Sequence, residues 1–408
     1  MNSMLVVGIV ILTGFLVGEL ANKLKLPKVT GYILAGVLLN PRVVDFIPGS
    51  FVSHTDLITN LSLSVIAFAV GGTLLISGIR RMGRRILRIT LLESTFAFSL
   101  VLIGFAIISP FFLDVDQGSY MTVYIPFALL LSSLAAPTDP TATLAVAHEY
   151  KAKGPVMSSV MGVAAFDDAM GIMLYSIAVA FAGSFISPES TSLVMLAWHI
   201  VRQILGALAL GGILGWMFNK ATDLMKVESE GMFIVMIIGL LAVNFGLSEV
   251  ARVDELLSVM FMGFVVVNFN KNSERIFTIL ERYTEQLIFV LFFTISGMHL
   301  DIFVLGDYYL LILFYIVFRG MGKFLGVTLG ARREGGVIRR YTAGGLIPQG
   351  GIVIGLALII RQDPAFSHIS DAFINIVLGA TVIHELIGPV LAKFSLRKAG
   401  EIKEDQKA

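Results

Sequence analysis

Three aspartates lie in residues 131–176, a part of the chain predicted to form two apolar helices joined by a short basic turn. Asp139 follows Thr138, and Asp167 and Asp168 are adjacent. A carboxylate at bilayer depth costs on the order of several kcal/mol unless it is protonated or paired. A carboxyl group in this position binds either a proton or a hard cation such as Na⁺, which takes oxygen ligands. Competition between the two ions at one site is sufficient for ion exchange.

The adjacent aspartates and two basic residues are candidates for buried ion pairs. Neighbouring residues on a helix point about 100° apart, so Asp167 and Asp168 can serve different tasks, one on a cation path and one against a packed neighbour. Arg319 and Lys323 lie at i and i+4 on one face of a later apolar stretch. They are the candidate counter-charges for the aspartates. A static buried salt-bridge network is the alternative interpretation.

Prolines predict two interrupted helices. Pro137 and Pro140 remove backbone donors on either side of Asp139, and Pro348 does the same in a glycine-rich stretch of a later helix. Helix ends inside a membrane carry about half an elementary charge each. Asp139 can offset a positive helix end or bind an ion directly, and both interpretations stay open. Gln349, beside Pro348, can satisfy backbone groups that the break leaves free.

Composition indicates the class of protein. Of the 408 residues, 56% are hydrophobic and 14% are charged, whereas a soluble domain carries roughly 25% charged residues. The chain is therefore expected to cross a lipid bilayer many times. The net charge of +1 gives no reason to expect a nucleic-acid partner, and the absence of cysteine excludes disulfides and thiolate metal sites. Phosphate-binding loops and nucleophile motifs are absent, so we expect neither an enzyme nor a cofactor.

Hydropathy predicts an all-α integral membrane fold with thirteen transmembrane helices, because an apolar stretch of about 17 to 25 residues can span a bilayer. The predicted spans are residues 4–22, 29–48, 57–79, 87–113, 121–148, 155–185, 192–219, 229–249, 254–270, 284–301, 307–330, 336–361 and 369–394. Of the 30 basic residues, 24 fall in loops on one side and three on the other. The positive-inside rule then places the N-terminus outside and the C-terminus in the cytoplasm, with the protein in the cytoplasmic membrane.

The two halves of the chain resemble each other in sequence. Residues 31–40 are similar to 257–268, and residues 134–140 have a counterpart in 345–351. The predicted fold is therefore an inverted repeat of two six-helix halves, with discontinuous crossing helices 5 and 12. Inverted repeats with corresponding interrupted helices are typical of secondary transporters. A membrane domain over residues 1–395 then comprises repeats at about 1–185 and 229–395 and a linker helix at 192–219, and a short cytoplasmic tail follows at 396–408.

Other polar residues in the predicted spans are less informative. Glu93 lies in span 4, and nothing in the sequence selects it for a role. His384 and Glu385 are placed towards the cytoplasmic end of span 13. We expect this pair to form a local helix cap or an ion pair.

Four stretches resemble one family of transporters. Residues 26–36 look like the beginning of its second span, and residues 292–301 look like the signature of its tenth. Residues 322–326 resemble its span 11, and residues 385–389 (Glu-Leu-Ile-Gly-Pro) resemble its span 13. On these motifs the chain resembles the monovalent cation:proton antiporter-2 family, which includes relatives of bacterial sodium/proton antiporters and glutathione-gated potassium efflux systems.

The resemblance implies an assembly and an activity. The assembly is a homodimer in which a six-helix core of each subunit moves like an elevator against a dimerisation domain. The activity is exchange of a monovalent cation, Na⁺ foremost with K⁺ and Li⁺ as alternatives, for protons.

The resemblance also implies roles for individual residues. Asp168 would be the main carrier of cation and proton, and Asp167 would pair with Lys323. Thr138 and Asp139 would lie on the unwound helix of the cation site. Two adjacent acids are typical of electrogenic relatives. Residues 71–73 read Gly-Gly-Thr where many members carry Gly-Leu-Glu, so no role of that acid carries over to this chain.

Two other functions stay open at this level. A cation-coupled symporter of an organic anion can use the same scaffold. A gated cation channel or a non-transporting sensor belongs to a different class. Flux measurements distinguish them, because a channel current does not follow the proton gradient and a sensor gives no flux.

Overall fold

The computed structural model describes residues 3–24, 28–44, 47–52, 54–113, 119–139, 143, 146–147, 150–186, 193–225, 229–300 and 306–402. Within these ranges the secondary structure is helical and contains no strand.

Sixteen α-helices occur in the described ranges. They are α1 (Ser3–Lys23), α2 (Lys28–Leu38), α3 (Gly49–Val52), α4 (Asp56–Thr73), α5 (Ile76–Phe112), α6 (Ile125–Ser133), α7 (Pro155–Ile186), α8 (Leu193–Met225), α9 (Glu230–Ala251), α10 (Glu255–Phe269), α11 (Ser273–Leu280), α12 (Gln286–Met298), α13 (Tyr309–Gly330), α14 (Gly336–Tyr341), α15 (Gly351–Gln362) and α16 (Ser367–Lys398). The helix α5 changes direction at Gly83, whose φ of 72° suits glycine because it has no Cβ.

The helices have the lengths and surfaces of a membrane protein. Eight of the described helices are long and apolar enough to cross a membrane, and five more are apolar but only 10–17 residues long. Large apolar side chains on the long helices point outward, for example Leu12, Phe111 and Val235. A lipid environment accepts such a surface, whereas water does not. The prediction of a multi-pass membrane protein is therefore confirmed.

The antiparallel helices α5 and α13 pack closely because α13 presents a glycine at every fourth position. Gly322, Gly326 and Gly330 face α5, and a Cβ atom on Gly326 would lie 2.3 Å from the Cα atom of Glu93. Small residues at this spacing let the backbones of two membrane helices approach closely. The close approach places Glu93 beside Lys323, which lies between the glycines on α13.

Two other helix pairs repeat one kind of contact. In the pair α2–α12, a Cβ on Gly36 would lie 2.0 Å from the carbonyl oxygen of Thr294 and 2.7 Å from the Cα of Gly297. In the pair α10–α4, a Cβ on Gly263 would lie 2.2 Å from the carbonyl oxygen of Phe68. At both contacts, only glycine permits the observed helix separation.

An asparagine accompanies each of these two glycine contacts. Asn40 Nδ2 donates to the carbonyl oxygens of Met298 and Leu300, both at 2.9 Å, at the end of α12. Asn268 Nδ2 donates to the carbonyl oxygen of Leu74 at 2.9 Å, at the end of α4. The carbonyls at a helix C-terminus have no partner within the helix, so each asparagine ties its own helix to the end of the neighbouring one.

Two non-helical segments lie at the positions where the prolines predict interrupted helices. The first break is defined as residues 134–139, which follow the end of α6 at Ser133. The second break is defined as residues 347–350, which lie between a 3₁₀ turn (Thr342–Leu346) and the start of α15. Pro137 lies in the first break and Pro348 in the second, whereas Pro140 lies outside the described residues.

The end of α16 is attached to the beginning of α7. The carboxylate of Glu401 accepts hydrogen bonds from the backbone N–H groups of Val156 at 2.6 Å and Met157 at 2.9 Å. These donors are unpaired within α7, and a negative charge there is favoured by the helix dipole. Ile402 packs in the same apolar cluster. Residues 396–402 of the predicted tail are therefore part of the folded domain.

Candidate ion-binding site

Lys323 lies fully buried on α13, and its ammonium group makes three hydrogen bonds. Its Nζ atom donates to Glu93 Oε2 at 2.8 Å, to the carbonyl oxygen of Ala136 at 2.6 Å and to Thr138 Oγ1 at 2.8 Å. A lysine ammonium has three N–H donors, so these partners use all of them. The buried counter-charge that Lys323 contacts by hydrogen bond is Glu93.

Asp167 is a more distant neighbour of the same ammonium group. Its Oδ2 atom lies 3.6 Å from Lys323 Nζ, which is ion-pair distance but longer than a hydrogen bond. Asp167 is fully buried, and within the described part of the chain neither of its oxygens accepts a hydrogen bond of ordinary geometry. The implied Asp167–Lys323 pair is thus present as an electrostatic contact, with Glu93 nearer to the lysine.

Sequence reasoning missed Glu93. This side chain is fully buried, and its Oε1 atom accepts a hydrogen bond from Ser94 Oγ at 3.0 Å. The signal that would have found it is the spacing of Gly322, Gly326 and Gly330, which place a glycine at every fourth position around Lys323. That spacing predicts a close neighbouring helix, and a buried lysine requires an acid on that helix.

Arg319 joins the two breaks and contacts no acid among the described residues. Its guanidinium donates to Ala135 O at 3.1 Å and Pro137 O at 2.8 Å in the first break, and to Ile347 O at 2.6 Å in the second. Carbonyls at a helix end carry partial negative charge. Arg319 was expected as a counter-charge for an aspartate, and instead its charge is balanced by these backbone oxygens.

Further hydrogen bonds connect the two breaks. Gln349 Nε2 donates to the carbonyl oxygen of Leu134 at 2.7 Å and to Tyr315 Oη at 3.0 Å. The backbone N–H of Asp139 donates to the carbonyl oxygen of Pro348 at 3.1 Å, and Thr138 Oγ1 donates to that of Leu346 at 3.3 Å. Gln349 thus satisfies a freed backbone group, as its sequence position suggests.

Asp168 faces a cavity that Asp167 does not line. The cavity has a volume of about 440 Å³, and its wall includes Pro137, Thr138, Asp139, Asp168 and Gly350. Asp168 is partly exposed, whereas its neighbour is fully buried. The separation follows from helical geometry, because adjacent residues point about 100° apart. Carboxylate and hydroxyl oxygens on one wall provide the ligand type that a hard monovalent cation prefers.

Thr73 also lines this cavity. Its Oγ1 atom donates to the carbonyl oxygens of Val70 at 2.8 Å and Ala165 at 3.2 Å. The hydroxyl hydrogen is therefore directed to backbone groups, and α4 contributes no carboxylate at this point of the wall.

The interpretation of His384 and Glu385 as a cap or ion pair is wrong. Both lie near the middle of α16 and are fully buried. Within the described part of the chain, none of their four polar side-chain atoms has a hydrogen-bond partner. The apolar pattern of the sequence places these residues in a span but does not show which side of the helix faces the protein.

A helical membrane protein with carboxyl groups beside two interrupted helices has the organisation of a secondary ion transporter. The family model described as "Sodium/hydrogen exchanger, transmembrane" matches residues 8–398, and the chain belongs to this family. The expected place among the monovalent cation:proton antiporters is confirmed.

Individual relatives show how far the similarity extends. The chain is 23% identical over 403 residues to the Na(+)/H(+)-K(+) antiporter GerN of Bacillus cereus, which covers 95% of each chain. It is 24% identical over 170 residues to the Na(+)/H(+) antiporter NhaG of Bacillus atrophaeus. That match covers 42% of this chain, and the chain spans only 32% of the length of NhaG.

A solved structure shows the fold. The sodium proton antiporter MjNhaP1 from Methanocaldococcus jannaschii superimposes with a TM-score of 0.77, covering 97% of this chain and 98% of that one, at 18% identity. The chain therefore shares the arrangement of helices seen in MjNhaP1.

Proposed function

We propose that the protein is a secondary antiporter that exchanges a monovalent cation, Na⁺ foremost with K⁺ or Li⁺ as alternatives, for protons. The observation that carries the proposal is the position of Asp168 on the cavity wall beside Thr138 and Asp139. The family to which the chain belongs supports the same activity.

The exchange follows from competition at the carboxylates. Asp168 accepts a cation when it is ionised and releases it when it takes up a proton, because the neutral acid is a poor ligand for a cation. Asp139 and Thr138 complete an oxygen-lined wall on the first break. Arg319, Gln349 and the backbone contacts hold the two breaks together, so the wall keeps its shape while the ion changes.

The charges around Lys323 support electrogenic exchange. The hydrogen-bonded pair of Lys323 and Glu93 is neutral overall. Asp167 and Asp168 are then both available for protons, and one monovalent cation replaces two of them. Each cycle would move one net charge across the membrane.

The apolar helices and the similar contacts in the two halves support an inverted-repeat architecture of thirteen spans, in which the interrupted helices cross. Eight long and five shorter apolar helices supply the spans. The helix α8 corresponds to the linker between repeats at about 1–185 and 229–395. The contact of Gly36 with α12 and that of Gly263 with α4 are of one kind, as a repeat of the helix pair requires.

Assembly and orientation complete the proposal. A homodimer with an elevator-like motion of a six-helix core is the arrangement that the family resemblance implies. The excess of basic residues in one set of loops supports a cytoplasmic-membrane protein with its N-terminus outside and its C-terminus in the cytoplasm.

The direct test is a flux assay in proteoliposomes. We expect Na⁺, K⁺ or Li⁺ added outside to dissipate an imposed pH gradient, and a membrane potential to change the rate. Absence of proton movement with all three cations contradicts the proposal. A cation current that is independent of the pH gradient indicates a channel, and cation-driven uptake of labelled organic anions indicates a symporter.

A further inference from the structure

Glu385 is a buried acid to which the exchange described above assigns no role. It is 0% exposed on α16, and within the part of the chain that the structure describes both of its carboxyl oxygens lack a hydrogen-bond partner. An ionised carboxylate in such a place would be strongly destabilised. Burial without hydrogen-bond partners therefore favours the neutral, protonated form of Glu385 in this conformation.

The second break contacts both the part of α16 that carries Glu385 and the wall of the cation cavity. One turn beyond Glu385 on α16, a Cβ on Gly388 would lie 2.6 Å from Pro348 Cγ. At the other end of the break, a Cβ on Gly350 would lie 2.2 Å from Asp139 Oδ2. The break thus contacts α16 through Pro348 and Asp139 through Gly350, and Asp139 lines the cavity.

The charged groups around the two buried residues of α16 differ in sign. Among the described residues, Asp139 is a charged group that acts electrostatically on Glu385. The neighbours of His384 are the cations Arg319 and Lys323 and the ring of Tyr315, whose centroid lies 6.4 Å away. Glu385 is therefore electrostatically connected to the acidic cation wall, whereas His384 faces the basic side of the site.

We propose that Glu385 is an additional proton-binding site that is emptied and refilled in each exchange cycle. This inference rests on the proposed cation/proton exchange. A cation in the cavity near Asp139 brings positive charge towards Glu385, which stabilises its ionised form. The O–H bond of Glu385 then breaks, and the proton leaves towards the cavity by way of Asp139. When the cation departs, the carboxylate takes up a proton again.

The test is the coupling ratio of Glu385→Gln in proteoliposomes. At zero membrane potential, we measure the pH gradient that exactly balances a fixed Na⁺ gradient. Loss of one proton per cation increases this balancing gradient by about 1.5-fold, because the protons of Asp167 and Asp168 remain when that of Glu385 is lost. The matched control is Asp371→Asn, an exposed acid on the same helix, which should keep the wild-type value.

A balancing gradient for Glu385→Gln equal to that of the wild type overturns the inference, since a merely structural acid is replaced by its amide without effect on coupling. If the wild type itself exchanges no cation for protons, it is the proposed function that fails. Should Glu385→Gln not fold, Glu385→Asp keeps a titratable group at a changed position. We then expect a retained coupling ratio with a shifted pH dependence, and an unshifted profile contradicts the role.

Discussion

The two halves of the molecule share a helix contact but differ at their breaks. The pair α2–α12 and the pair α10–α4 use the same elements, a glycine at the closest approach and an asparagine bonded to the end of the neighbouring helix. The first break carries Thr138 and Asp139 on the cavity wall, whereas the second contributes Gln349 and the space left by Gly350. The helix contact is of the same kind in both halves, whereas the residues of the two breaks differ.

Charge is divided between the halves in a similar way. The acids at the site, Glu93, Asp139, Asp167 and Asp168, all come from the first half of the chain. The bases that meet them, Arg319 and Lys323, come from α13 in the second. A site divided in this way exists only while the halves are packed together, and each half alone would leave buried charge of one sign.

The largest effect is expected from Asp168→Asn, which removes the proposed carrier of cation and proton from the first half. Cation-dependent proton movement in proteoliposomes should fall to the level of empty liposomes, because an amide cannot exchange a proton for a cation. Asp223→Asn, at an exposed position on α8, is the control and should exchange normally. Full exchange by Asp168→Asn would remove this residue as the carrier.

A change to the second half, Lys323→Gln, is expected to destabilise the protein. It leaves Glu93 buried without a counter-charge, and breaking a buried pair in this way costs about 3–5 kcal/mol. Thermal unfolding in detergent measures the loss. Glu93→Gln combined with Lys323→Gln should recover most of it, since the charge of Glu93 is then removed together with that of its partner. If the double variant is no more stable than Lys323→Gln, the two residues are not partners.

A smaller and symmetric effect tests whether the helix contact is truly repeated. Gly36→Ala and Gly263→Ala should each lower stability by about 1–3 kcal/mol, because the added methyl group meets backbone atoms that have little room to move. Gly239→Ala is the control, since nothing lies within 4 Å of a Cβ there. A large effect at one glycine and none at the other would show that the two contacts are not equivalent.

Those features of the site that depend on a single stretch of sequence could be predicted without the structure. The apolar spans, the three aspartates and the breaks at Pro137 and Pro348 follow from local rules of hydropathy and backbone geometry. Glu93 was not selected, because its importance arises from a neighbour 230 residues away. The carbonyl oxygens that bind Arg319 are likewise invisible in a sequence, since every residue has one.

The attachment of Glu401 to the beginning of α7 has a practical consequence. The helix α7, which carries Asp167 and Asp168, is joined through this carboxylate to the segment that follows α16, so a probe at the end of α16 reports the position of α7. The chain has no cysteine, and a single thiol introduced at the exposed Lys398 is therefore unique. A fluorophore or spin label on it gives a direct view of the site helix during transport without altering any residue of the site.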